Sequence, residues 1–385
     1  MLSERIQRLS GNLIREILAF TQREGVISFA GGLPAMEVMP DLDLDLDQVP
    51  PQLRQYGTTE GEPELRARIA EGLNRLGRAC SPDQVLITSG SQQGIDLVSK
   101  LFIDPGTPVL VETPTYLAAV QSFHLFGARF SALPLSPSGI DPDDLHARLT
   151  AHRPAFAYLI PTFQNPSGYC YSGPTRIEVA RQLDVAGLPL VEDEPYRELR
   201  YESVECTPIC ALLASAPWIY LGSFSKTGMP GLRIGYVAAS PDLYPLLVRL
   251  KQAADLHSNR PAQWWASRFL GSPGYSAHLQ RLRDRYRSRR DVMAAALARH
   301  LSGLARWEIP AGGLFFWVQL NRVLDTRALL KKALEHDIAF MPGEPFFPDE
   351  DRPRGFLRLN FSHAGDDAIE RGIATLAQII RGFPG

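Results

Sequence analysis

A chain of 385 residues exceeds the size at which one hydrophobic core usually stops growing, so two lobes are expected. Lysine and arginine number 40 against 42 aspartate and glutamate, and the formal net charge of -2 lacks the basic footprint that nucleic acid or an anionic membrane would select. Four cysteines, Cys80, Cys170, Cys206 and Cys210, are too few for a disulfide framework and lack a second pair at zinc-ligand spacing; they read as ordinary thiols, and no metal is expected.

The start of the chain, MLSERIQRLSGNLIREIL, sets charges among apolar residues at helical spacing and holds no long apolar core of the kind a secretory signal needs. No stretch approaches the ~20 apolar residues that span a bilayer, so a cytoplasmic protein is expected. The alternating DLDLDLD at 41–47 reads as an extended, half-exposed connection without chemistry. Short apolar runs follow at 85–88, 109–112, 156–160, 189–193, 218–222 and 234–238, separated by helical patterns. Unalternating runs of this length suit strands covered on both faces, and intervening helices imply mainly parallel pairing. Beyond about residue 245 a long charged helix is predicted over 280–301. Its cluster Arg281, Arg283, Arg285, Arg287, Arg289 and Arg290 is interleaved with Asp284, Asp291 and apolar positions, which predicts a solvated helix face. Strand-like segments at 313–320 and 356–361, with a helix near 326–336, predict a smaller α+β lobe that N-terminal residues complete.

Residues able to do chemistry fall at the ends of the apolar runs, where open α/β sheets bind ligands. SGSQQG, residues 89–94, joins a strand to a helix whose free amides and dipole face an anion, with Ser91 and Gln92 as donors. ETPTYLAAV puts Tyr116 in a turn, either to stack on a flat ring or to pack on the domain surface. IPTFQNPSG is a turn that offers the Asn165 amide. PLVEDEPYREL delivers Asp193 at the sheet's rim; opposite a pyridine nitrogen that carboxylate would keep the ring protonated, and Tyr196 could reach a phenolic oxygen. In GSFSKTGMPGLRIGYV, Lys226 between Ser223 and Ser225, with Arg233 further on, can hold an aldehyde covalently and a phosphate by charge-assisted bonds.

Together these segments resemble the class I/II aminotransferases of fold type I, most nearly the branch that holds 2-aminoadipate aminotransferase and kynurenine aminotransferase II. The resemblance runs from NLIREILAF and ISFAGGLP through YGTTEGEPELR, TSGSQQGIDLV, FQNPSG, VEDEPYREL and GSFSKTGMPGLRIGYV to GGLFFWV and LRLNFS. It implies an α/β fold with a large domain on a mostly parallel seven-stranded sheet and a smaller α+β domain. The expected division is an N-terminal substrate-covering segment (1–40), a large cofactor-binding domain (41–260) and a small C-terminal domain (261–385).

The resemblance implies pyridoxal 5'-phosphate as cofactor, with Lys226 as the Schiff-base lysine and proton shuttle and Asp193 as the pyridinium partner. Asn165 and Tyr196 become ligands of the phenolic oxygen, Tyr116 the stacking ring, and Ser91, Gln92, Ser223, Ser225 and Arg233 the phosphate cradle. Arg358 in FLRLNFS would grip the substrate α-carboxylate, with Asn165 beside it; a bidentate guanidinium suits a planar carboxylate. Tyr56, in QYGTTEG, is implied to reach the cofactor of the second subunit in a homodimer. Gly32, Asn12 and Arg15 belong to the segment that covers substrate.

The activity implied moves an amino group from an L-amino acid, of 2-aminoadipate, aromatic or branched type, to a 2-oxo acid, expected to be 2-oxoglutarate. Lys226 then has to work as a neutral amine near neutral pH, which an adjacent cation and desolvation promote. Two other readings share the scaffold. A lyase or decarboxylase would use the same lysine and acid. A regulatory domain of the MocR type would sense the cofactor without catalysis, but the stretch ahead of ISFAGGLP is too short for a winged-helix domain. Ser167 and Glu194 stand where threonine and aspartate are usual, and Thr227, Gly228 and Met229 link the lysine to PGLR in an atypical way; these departures bear on substrate preference.

Overall fold

In the computed structural model, which describes residues 2–9, 17, 20–21, 23–40, 46–348 and 353–384, the central apolar runs become strands of one sheet. After a two-residue strand, β1 (Ile27–Ser28), the sheet comprises β2 (Val85–Thr88), β3 (Pro108–Thr113), β4 (Arg129–Ser136), β5 (Gly139–Ile140), β6 (Ala157–Leu159), β7 (Leu190–Asp193), β8 (Trp218–Ser223) and β9 (Gly235–Ala239). Its order is β2-β9-β8-β7-β6-β3-β4-β5. The run from β8 to β4 is parallel, while β9 pairs antiparallel with both β2 and β8. β2 therefore points the same way as β8, and the carboxyl ends of β2, β3, β6, β7 and β8 share one rim.

Alternate residues explain why 85–87 and 109–111 carry no polar side chain. Val85 and Ile87 enter one apolar layer and Leu86 the other; Leu110 faces the first, Val109 and Val111 the second. Helices α1 (Pro63–Arg75) and α2 (Ser91–Phe102) cover opposite faces, α1 through Leu65, Ile69 and Leu73, α2 through Ile95 and Val98. α3 (Leu117–Phe126) adds Phe123 beside α2. Each such side chain contributes about 1.5–3 kcal/mol by leaving water.

The sheet has one strand more than expected. β4 was not legible because RFSALPLS contains Pro134 and exposes both ends. It turns back on itself at Gly139, φ 114°, to form the short β5.

The C-terminal lobe is built on the antiparallel sheet β10-β11-β14-β13: β10 (Ala305–Trp307), β11 (Phe315–Leu320), β13 (Met341–Pro342) and β14 (Phe356–Asn360). β12 (Ile338–Ala339) pairs in parallel with β1, so N-terminal residues complete this lobe. Further on, the Ala35 amide donates to the Tyr286 hydroxyl at 3.0 Å.

The long helix α4 (Tyr275–His300) corrects the expectation of a solvated basic face. Arg289 and Arg290 are 3% and 6% exposed. Arg289 is held by the Ser362 carbonyl and Glu37, Arg290 by Glu202 at 2.9 Å and the Pro310 carbonyl at 3.1 Å. Arg283 pairs with Glu198 at 3.0 Å and Arg287 with Glu202 at 2.9 Å. The helix runs between the N-terminal segment and the loop after β7, and its guanidiniums stitch both to it. Among the described residues no helix is long and apolar enough to cross a membrane.

Candidate active site

Five strand ends, the N-terminal segment and β14 enclose a cavity of about 480 Å³. Lys226, Asp193, Asn165, Tyr196, Tyr116, Ser91, Gln92, Ser223, Ser225, Arg233, Gly32 and Arg358 all line it. Tyr56 does not. The residue is 76% exposed, and its ring stands edge-on to His257 at 5.7 Å. Asn12 and Arg15 lie outside the described residues.

Lys226 follows β8 and opens onto the cavity while the protein encloses it. Desolvation, reinforced by the Arg358 and Arg233 charges, lowers its amine to about 8. Nζ donates to the Gly32 carbonyl at 2.8 Å. It lies 5.8 Å from the centre of the Tyr196 ring.

Asp193 ends β7 and is 2% exposed. Its Oδ2 accepts from the Tyr158 hydroxyl at 2.7 Å, while Oδ1 is buried without a partner. Burial raises this carboxyl to about 6, the Tyr158 bond opposing the shift. An unpaired carboxylate oxygen at a cavity wall is a costly arrangement unless a donor arrives.

At the other end of the cavity, Gly90, φ 78°, caps α2 and lets the Arg233 guanidinium lie against the turn. A Cβ at Gly90 would stand 2.4 Å from Arg233 Nη2, and one at Gly235 2.6 Å from Ser91 N. Arg233, itself left-handed at φ 53°, reaches the Ser225 hydroxyl at 3.4 Å and the Pro230 carbonyl at 3.3 Å. The Ser225 amide donates to Ser223 Oγ at 3.1 Å. A helix start, two hydroxyls and a guanidinium thus converge on one small volume, the donor set a phosphate requires.

Arg358, on β14, spans the cavity floor. Nη1 donates to Asn165 Oδ1 at 2.8 Å and Nη2 to the Ala30 carbonyl at 2.5 Å; Nε is buried and unpartnered. The guanidinium lies 4.2 Å from the Phe315 ring centre and 5.0 Å from that of Phe346. Burial lowers it to about 10, which still leaves it charged at neutral pH. Tyr196 stacks edge-on to Phe315 at 5.6 Å. Its phenol is held above the usual range mainly by burial, as is that of Tyr116, pushed up to about 12. Both rings are neutral donors in the working range.

Sequence reading missed the groups that hold these residues in place. Tyr158 sits inside an apolar run and looks like core, yet it orients Asp193. Glu112, fully buried at the end of β3, accepts from the Ile160 amide (3.1 Å), the Tyr171 hydroxyl (2.8 Å) and Gln164 Nε2 (3.0 Å). Gln164 adjoins Asn165 and also fixes Ser167 at 2.7 Å. Burial raises Glu112 to about 7 against those bonds. A glutamate inside VLVET was the one signal, and a lone acid there gives no direction. A second cavity, about 500 Å³, lies across the Ser223–Thr227 turn beside Glu194, Arg197 and Tyr220; it contains no reactive amine.

Residues 34–376 match the family model for aminotransferase class I and II. The chain is 39% identical to a 2-aminoadipate transaminase of Thermus thermophilus, covering 98% of this chain and 95% of that protein. It is 37% identical to aromatic-amino-acid aminotransferase 1 of Thermococcus litoralis, covering 98% and 94%. Among solved structures, the alpha-aminoadipate aminotransferase LysN of Thermus thermophilus, complexed with N-(5'-phosphopyridoxyl)-L-leucine, superposes with a TM-score of 0.90 at 37% identity, covering 99% of this chain and 97% of that one. The chain belongs to the class I and II aminotransferases: it has the fold type I architecture and is a pyridoxal-phosphate-dependent amino acid aminotransferase.

The side chains present fit that cofactor. The orphaned Oδ1 of Asp193 is the acceptor a protonated ring nitrogen needs, and the glycine-lined turn at Gly90 and Arg233 leaves room and donors for a phosphate.

Proposed function

We propose that this aminotransferase takes its amino group from a 2-aminoadipate-like, aromatic or branched L-amino acid and passes it to 2-oxoglutarate. The carrying observation is the position of the Lys226 amine, lowered to about 8, on the wall of the cavity that also holds the unpaired Asp193 oxygen and Arg358.

When bound, pyridoxal phosphate supplies an electron sink that acidifies the substrate Cα–H and a carrier for the amino group between two half-reactions. Lys226 would hold it covalently, and its neutral Nζ would be the base placed to take the substrate Cα proton. Asp193, held by Tyr158, would keep the ring nitrogen protonated. Asn165 and Tyr196 would donate to the phenolic oxygen, and Tyr116 would cover the ring. Ser91, Gln92, Ser223, Ser225 and Arg233 neutralise the phosphate. Arg358 fixes the α-carboxylate, its planar charge already aimed by Phe315, Phe346 and Asn165. Gly32 forms the wall beside Lys226, where an added Cβ would come 3.0 Å from Phe315 and 3.8 Å from Nζ.

The enzyme works as a homodimer. Tyr56, exposed on a loop that Arg260 ties down through its carbonyl at 3.1 Å, would serve the second subunit's cofactor.

Two things support the donor range: relatives named for 2-aminoadipate and aromatic amino acids, and apolar walls contributed by Leu33, Met341 and Phe346. A panel of amino donors with 2-oxoglutarate, read as glutamate formed and as conversion of the cofactor's absorption, tests the reading. Release of carbon dioxide or ammonia without that conversion would instead favour a lyase or decarboxylase, and failure of glutamate to form with any donor would reject 2-oxoglutarate.

A further inference from the structure

Two of the four cysteines meet outside the cavity. Cys170 lies beyond the Asn165 turn, partly open to solvent; Cys206 is buried in the loop after β7. Each thiol shifts the ionisation of the other. Arg176 Nη2 approaches Cys170 Sγ at 3.5 Å, and Sγ itself contacts the Glu205 carbonyl, on the peptide that leads into Cys206, at 3.6 Å.

Arg176 explains why the pair stays together. It is fully buried. Nε donates to the Tyr171 carbonyl at 3.0 Å and Nη1 to the Thr207 carbonyl at 3.0 Å, and these residues directly follow Cys170 and Cys206. Nη2 also holds the Pro161 carbonyl at 2.8 Å and Thr162 Oγ1 at 3.0 Å. One guanidinium therefore pins both cysteine-bearing backbones, and it touches the sulfur of Cys170 directly while its charge also reaches Cys206.

The two sulfurs are accordingly unequal. Cys170 is lowered below the ordinary thiol range, first by Cys206 and then by Arg176, against burial. Cys206 is raised. The other two thiols lack this setting: Cys80 is pushed up to about 11 by burial, and fully buried Cys210 is raised as well.

We propose that Cys170 and Cys206 form a peroxide-oxidisable dithiol, with Cys170 as the attacking sulfur and Cys206 as the resolving one. The Cys170 thiolate attacks one oxygen of hydrogen peroxide; an S–O bond forms, the O–O bond breaks, and the departing hydroxide takes a proton to become water. Cys206 then loses its proton and attacks Sγ of the sulfenic acid; the S–S bond forms, the S–O bond breaks, and the second hydroxide takes that proton. Two thiols and one peroxide thus give one disulfide and two waters. The bridge ties the turn that carries Asn165 to the loop after β7. The site is independent of the transamination chemistry.

The test treats holoenzyme with one equivalent of hydrogen peroxide, quenches with catalase, and titrates thiols after denaturation without reductant. The count is expected to fall from four per chain to two. In a tryptic map the peptide ending at Arg176 should be joined to the peptide 201–226. That peptide carries both Cys206 and Cys210, so Cys210→Ser, expected to keep the link, identifies the partner. Cys206→Ser should leave a dimedone-reactive sulfenic acid on Cys170 in chains that still bind cofactor. The proposal is overturned by four thiols surviving peroxide, by dimedone labelling of wild-type Cys170 with Cys206 still free, or by a link through Cys80, Cys210 or a second chain. Each of these is read on wild-type protein, the choice between Cys206 and Cys210 there by fragmentation of the linked peptide, so a variant that fails to fold does not protect it.

Discussion

The Tyr158 hydroxyl donates to Oδ2 of Asp193 at 2.7 Å, while the other oxygen of this cavity-lining carboxylate is buried and unpaired. One hydrogen bond thus spends half of the carboxylate on orientation and leaves half for a cation. Asp193→Asn should therefore bind pyridoxal phosphate yet slow the first half-reaction by about 10²–10³-fold, the scale of losing one preorganised electrostatic partner. Tyr158→Phe should cost about tenfold, as expected from one hydrogen bond to a charged group. Single-turnover conversion of cofactor absorbance with a good donor measures both, and an Asp193→Asn enzyme with the wild-type rate would remove this acid from the mechanism.

If Lys226 holds the cofactor as proposed, covalent capture of pyridoxal phosphate by apoenzyme needs its neutral form. Its pKa is depressed from the ordinary lysine value to about 8, so the reactive fraction grows as pH rises toward 8 and levels off above it. An unperturbed lysine would keep gaining well beyond that point. The same depression means that protonated Lys226 costs stability in the folded state: the penalty is full below about 8 and disappears as pH rises toward the unfolded lysine value. Capture rates from pH 6.5 to 9.5 test this, with pyridoxamine phosphate binding, which needs no amine, as the control.

Arg358→Lys keeps the charge but loses the planar pair of donors held by Asn165 and the Ala30 carbonyl. The KM for amino donors should rise by about 10- to 100-fold, the effect of 1.4–2.8 kcal/mol, while the absorption of bound cofactor stays unchanged. An unaltered KM would assign carboxylate binding elsewhere.

Glu112→Gln sets an amide against three donors: the Ile160 amide, the Tyr171 hydroxyl and Gln164 Nε2. Leaving one buried donor unsatisfied costs about 1–3 kcal/mol, so the melting temperature should drop. Because Gln164 adjoins Asn165, the absorption maximum of bound cofactor should shift as well. A destabilised variant with an unshifted maximum would make Glu112 purely structural.

The residues legible in the sequence were those whose chemistry stands out at a strand end. Lys226, Asp193, Asn165, Tyr116 and Ser91 each follow an apolar run, and a parallel sheet gathers such ends on one rim, so position in sequence translated directly into a shared cavity. Arg358 needed the family resemblance, because an arginine in a short antiparallel strand carries no comparable signal. Tyr158 and Glu112 were hidden for the opposite reason: they sit inside apolar runs, where an aromatic ring or a single acid is indistinguishable from core until a partner on another strand is known. Arg289 and Arg290 were misread because charge interleaving looks the same whether the counterions are neighbouring side chains or Glu37 and Glu202 far away in the chain.

β1 pairs with β12, so Ile27 meets Ile338, and the next residues supply the Ala30 and Gly32 carbonyls at the cavity wall. During synthesis this early strand has no edge to join until residues 338–339 have left the ribosome. A nascent chain can assemble the rim of the large sheet well before that, but the wall at Ala30 and Gly32 closes only after β12 has emerged about a hundred residues later, so the pocket forms after the sheet that carries its reactive side chains.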